Sequence, residues 1–146
     1  MSASNAFETA LLTLIFNNTN AANVGDATGL RGSTTAGVFY ISLHTADPGE
    51  TGNQTTSEAT FTSYARISVA RTSGGFTIAG NTVTNAAAVT FAACTGGSNT
   101  ITHFGIGSDV SGTGNLFFSG ALTASLAVSA GITPNFAIGQ LSTTAD

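Results

Sequence analysis

Apolar and polar positions along this chain follow two different periods. Near the start, Phe7, Leu11, Leu14 and Ile15 fall at i, i+4, i+7 and i+8. That spacing predicts one amphipathic helix over residues 4–17. Asn5 is placed to cap it, with Glu8 three residues later as in a capping box. "NNTNAANVGDATG" then ends the helix, because Asn and Gly tolerate left-handed dihedrals and Asn side chains compete for the backbone. Residues 17–36 read as a long irregular arm.

From Gly37 onward the period falls to two. Strands are expected at 38–44, 64–71, 76–79, 81–86, 88–93, 100–106, 115–122, 126–130 and 135–142. These segments are rich in Val, Ile, Phe and Thr. "SGG", "AGN", "TGGSN", "SDVSGTGN" and "SAGITPN" separate them as turns. Eight or nine strands at about ten-residue spacing imply a mainly β fold, a jelly-roll-like β-sandwich with one N-terminal amphipathic helix. The length, 146 residues, suits a single domain over 1–146, with the helix and arm in 1–36 and the sandwich in 37–146. No 20–50-residue period repeats, which argues against a solenoid or propeller.

Composition changes the picture in one respect. Only 7% of residues are charged, against about 25% in an average domain. Lysine is absent, and the cations are Arg31, Arg66 and Arg71. A surface of hydroxyls and amides suits permanent packing against other copies better than life as a free monomer. A net charge of −4 argues against nucleic acid, which needs clustered Lys and Arg. No apolar run approaches the roughly 20 residues of a membrane span. The start lacks a basic region and carries Glu8, so it makes a poor signal peptide. Cys94 has no partner for an internal disulfide.

Candidate chemistry is sparse. "HTADPGE" brings His44, Asp47 and Glu50 within seven residues, where a metal would want three or four ligands in fixed geometry. Asp-Pro-Gly is better explained as a turn, since Pro presets φ and Gly accepts a positive one. His103 shares a strand face with Ile101 and Gly105 by simple alternation, and a structural role across strands is expected for it. No strand–turn–helix G-x-S-x-G elbow holds a nucleophile near either histidine. "GIGSDVSG" has phosphate-loop spacing but no helix after it, so a hairpin with a bulge is expected. No metal or cofactor is expected. The stretch after the turn, "NQTTSEAT", is too polar for core, and reads as a surface loop that contacts neighbours.

Three stretches resemble a family from tailed bacteriophages: "YISLHTADPGETGNQTTSEATFTSYARISVAR", "VTFAACTGGSNTITHFGIGSDVSGTGNLFFSGAL" and "GITPNFAIGQL". "LHTADPG" and "THFGIG" are the more specific motifs. The family is loosely described as tail-fibre-like virion structural protein. The resemblance implies a structural role in the particle and no enzyme activity, and supplies no catalytic residues to map. By architectural analogy alone, the compact size favours a capsid decoration (cement) protein on the capsid surface. Its partners would be the phage major capsid protein and copies of itself, as a homo-oligomer and expectedly a trimer. The alternative is a tail-fibre or baseplate module contacting tail proteins or a host receptor. The residues expected at such contacts are Phe7, Leu11 and Leu14 on the helix and Glu50, Asn53 and Glu58 in the polar loop.

Overall fold

The computed structural model describes residues 3–145. One helix, α1 (Asn5–Asn17), precedes nine strands: β1 (Val38–His44), β2 (Ile67–Ala70), β3 (Phe76–Ala79), β4 (Thr82–Asn85), β5 (Val89–Thr90), β6 (Ser98–Gly107), β7 (Leu116–Ser129), β8 (Asn135–Phe136) and β9 (Ser142–Thr144). The main sheet has the order β2-β1-β6-β7. The second layer is divided into β3-β4-β9 and the two-stranded β5-β8. Every strand pair is antiparallel. The mainly β, sandwich-type fold with an N-terminal helix is therefore present, with its second layer in two pieces.

The helix runs close to the expected 4–17, but its cap is one residue earlier than the expected Asn5. Ser4 holds extended dihedrals and its side chain accepts from the Phe7 N–H, so Ser4 is the N-cap and Asn5 is already helical. Asn18 ends the helix in the left-handed conformation, at φ 54°. The buried helix residues are Leu12 and Phe16, one turn apart. The stripe expected at Phe7, Leu11 and Leu14 flanks this line: Phe7 is exposed, and Leu11 and Leu14 are half-buried.

Phe16 is the joint between the layers. It is fully buried. Its ring meets Phe39 of β1 at 5.4 Å, Phe76 of β3 at 4.9 Å and Phe118 of β7 at 5.1 Å. The first two contacts are edge-on, the favoured arrangement for aromatic quadrupoles. Around this joint Ile41, Leu43, Phe61, Val83, Val89, Phe91, Ile101, Phe104, Ile106, Val128 and Phe136 close one continuous core.

Two irregularities fix which residues face that core. Ile101 pairs with Leu126, but His103 pairs with Ala121, so β7 carries extra residues between these pairs. The two strands expected at 115–122 and 126–130 are one bent strand, and the expected break is a bulge at Leu122–Ser125. The same shift puts Ile101 in the core with Phe104, three residues on. Simple alternation had placed Ile101 with His103 instead. Downstream, 135–142 is not a single strand: β8 and β9 are separated by a turn in which the Ala137 N–H donates to Gln140 Oε1.

Replacing Phe16 with Ala should destabilise the domain by about 3–5 kcal/mol, the usual range for a buried Phe. Phe117→Ala, at a half-exposed neighbour, should cost far less. Urea unfolding of both variants checks the contrast. Equal losses would remove Phe16 from its place as the joint.

Candidate interaction surface

The strand pair β1–β6 has two faces, and the second one is also closed. Ser42 lies opposite Gly105, His44 opposite His103 and Tyr40 opposite Gly107. A Cβ on Gly105 would stand 2.6 Å from Ser42 Oγ and 2.7 Å from His44 Nε2. A Cβ on Gly107 would stand 2.6 Å from Gln54 Cγ. Both separations are shorter than van der Waals contact, so these positions need glycine. "THFGIG" thus cuts a hollow in the sheet, and "LHTADPGETGNQ" fills it. Gly105 and Gly107 make room for side chains, and Gly112, at φ 77°, belongs to the hairpin loop that follows.

His44 and Gln54 are fully buried in this hollow. His44 Nδ1 donates to the Thr56 carbonyl at 2.8 Å, because a carbonyl can only accept. Its Nε2 then accepts from the Ser42 hydroxyl at 2.8 Å. Gln54 Nε2 donates to the Asp109 carbonyl, and its Oε1 accepts from the Asp109 N–H at 2.9 Å. The Thr45 N–H donates to Ser57 and the Ala59 N–H to Leu43, so the loop returns along the end of β1. The polar stretch expected to stand free at the surface is folded back onto the sheet. Asp47-Pro48-Gly49 forms the turn that starts the return: the Gly49 N–H donates to Asp47 Oδ1 and Gly49 takes φ 68°. Among the described residues, no group of three His, Cys, Asp or Glu side chains is placed to share a metal ion.

Two of the three arginines are spent inside the fold. Arg66 grips Glu58 through both carboxylate oxygens, at 2.7 and 2.8 Å. It also donates to the carbonyls of Asp109 and Gly112, at 2.9 and 2.7 Å. The Tyr64 hydroxyl donates to Glu58 and accepts from the Leu43 N–H. The hydrogen bond that Arg66 donates to Glu58 raises the Arg66 pKa, and burial pushes the Tyr64 hydroxyl well above its ordinary range. Arg71 donates to the carbonyls of Leu14 and Ile15 at the C-terminal end of α1, and to that of Ala36. It meets the negative end of the helix there and lies over the Phe39 ring, 5.4 Å from its centroid.

The residues expected at contacts are therefore dispersed. Glu58 is held by Arg66 and Tyr64. Asn53 caps a local turn, its Oδ1 accepting from the Thr55 N–H and hydroxyl. Glu50 is exposed and borders a polar hollow with Asp47, Phe117, Ser119 and Thr143. Phe7 is exposed at the start of α1, while Leu11 faces neither core nor groove squarely. Leu14 lines an apolar groove of about 470 Å³ with Ile15, Phe39, Phe117 and Phe118. Phe117 borders both hollows and is 48% exposed. Sequence reasoning passed over it, although a signal was present. In "NLFFSG" on a strand, one of two adjacent phenylalanines must face outward. Phe118 takes the core and Phe117 the surface.

The buried histidine makes stability depend on pH. Burial lowers the His44 pKa below its ordinary 6.5. The Thr56 carbonyl and Glu58 oppose that shift, and Arg66 and His103 add to it. The unfolded chain therefore takes up this proton before the folded one does. The contribution is intact above about pH 6.5 and declines as pH falls below it toward the folded-state pKa. Urea unfolding between pH 7.5 and 5 should show falling stability, and His44→Gln should flatten that slope from a lower starting value. An unchanged slope in the variant would assign the effect to other groups.

Residues 2–144 match the family described as podophage GP4 fiber I protein gp80. No curated protein matches the chain. The match spans the helix, the hollow with its loop, both arginine clamps and the groove, and on it the chain belongs to this podophage fibre family and is a phage structural protein.

Proposed function

We propose that this protein is a subunit of a virion fibre, where it acts as a compact β module that joins neighbouring subunits through uncharged surface. The observation that carries the reading is the family match over residues 2–144, whose description names a fibre protein. It favours the fibre over the capsid-cement role that architectural analogy suggested. The composition supports permanent assembly. With no lysine and 7% charged residues, little charge repulsion opposes association of copies. Two arginines are turned inward, which leaves Arg31 as the one exposed arginine among the described residues.

The contact surface on this reading is the α1–β7 side, where Leu14 and Phe117 present apolar area; Phe7, two turns before Leu14 on α1, adds exposed apolar surface on the same helix. Contiguous apolar surface on a soluble domain commonly marks an interface. Glu50 is free to contribute at the rim. Glu58 is not, since reversing its charge would leave Arg66 buried without a counter-ion. A role in contacting a host receptor is the further step that a fibre position would allow, and contact with the major capsid protein is what the cement role would require.

Electron microscopy of purified particles carrying a tagged copy tests the position. Label on projecting fibres is the expected result. Label spread evenly over the head at high copy would restore the cement role, and absence from particles would defeat both.

A further inference from the structure

The uncompensated positive charge of the described chain is gathered at one place. Arg66 is paired with Glu58, the one ion pair among the described residues. Arg31 and Arg71 both line the apolar groove formed by Leu14, Ile15, Phe39, Phe117 and Phe118. Arg71 bonds only to carbonyls and to the Ser33 hydroxyl, so no carboxylate offsets its charge. Arg31 makes no ion pair and is exposed. An apolar floor bordered by the exposed Arg31, on an otherwise acidic protein, fits an occupant that offers an apolar side chain beside a carboxylate.

The chain carries such a knob itself. Asp109 and Val110 lie in the β6–β7 hairpin loop and are exposed, Val110 at 60%, with one Asp109 carboxylate oxygen, Oδ2, accepting from the Ser108 hydroxyl. The tip is braced from behind. Gln54 bonds both the N–H and the carbonyl of Asp109, and Arg66 bonds the carbonyls of Asp109 and Gly112. A braced loop loses little conformational freedom on binding. Phe7 and Glu8 are a second apolar–acidic neighbour pair, but they lie in the first turn of α1, where the positive end of the helix already offsets the Glu8 charge.

We infer that the groove between α1 and β7 receives the Asp109–Val110 hairpin tip of a second copy of this chain, with Asp109 facing Arg31. This rests on the assembly of copies proposed above. Knob and groove are different surfaces, so the contact is heterologous. It generates a ring if the rotation closes and an open stack if it does not.

The test is sedimentation of the purified chain over a concentration series, with melting by circular dichroism to show that each variant is folded. Wild type self-associates. Arg31→Asp and Asp109→Arg singly, and Val110→Ser, each weaken association, Val110→Ser by roughly tenfold for the loss of one apolar anchor. The double variant Arg31→Asp with Asp109→Arg recovers association relative to either single change. A wild type that stays monomeric, single variants that associate as wild type does, or a double variant no better than the singles overturns the inference. Tagged wild type found in fibres alongside any of those results would leave the fibre reading standing and point to another virion protein in the groove. Tagged protein missing from particles would instead defeat the fibre reading.

Discussion

Gly105 and Gly107 leave two successive places on one face of β6 without side chains, and the arrangement of this protein's surface depends on that hollow. A polar loop could not bury itself on a flat sheet lined with larger residues. Here the missing Cβ atoms admit His44 and Gln54, and every buried side-chain nitrogen and oxygen among the described residues finds a partner. That matters because an unpaired buried polar group costs about 1–3 kcal/mol. The loop that follows β1 thereby becomes a second, polar core. Its far end is stapled by Glu58 and Arg66, and the same arginine sets the β6–β7 hairpin tip. A buried ion pair of this type adds little net stability against an apolar replacement. What it supplies here is position, by tying two loops to one guanidinium.

The two arginine clamps explain how a chain so poor in charge uses the charge it has. Arg66 and Arg71 satisfy eight acceptors between them, mostly backbone carbonyls at loop and helix ends. Carbonyls at such ends have no partner within their own element. Lysine, with a compact ammonium in place of a planar fork, could not bridge so many. The outer surface is left to hydroxyls, amides and a few apolar side chains, which suits neighbours that stay in contact.

Much of this fold was legible in the sequence, for a physical reason. Period-two alternation marks strands wherever one face is buried, so 38–44 and 76–79 appear with the bounds read from it. The helix was legible from its spacing, but its buried line was not, because Phe16 lies next to Ile15 and a one-residue rotation moves the stripe. The bulge in β7 looked like a break, since extra residues interrupt alternation whether or not the strand continues. The role of the 45–58 loop was hidden for a different reason. Polar residues such as Gln54 are read as exposed, and only the glycines of "GIG", far along the chain at 105 and 107, reveal that a hollow awaits them. The two motifs that carried the resemblance, "LHTADPG" and "THFGIG", are the two halves of that one packing. The contact residues were least legible, because an interface is defined by what the fold leaves uncovered.

Amide hydrogen exchange on the isolated chain and on assembled particles tests the central division between interior and contact surface. The account predicts that residues 54–59 are already protected in the isolated chain, and that assembly adds protection at α1, around Phe117 and at the 108–114 hairpin. Rapid exchange of 54–59 in the isolated chain, with protection gained there only on assembly, would contradict it and return the polar loop to the role of a free contact arm.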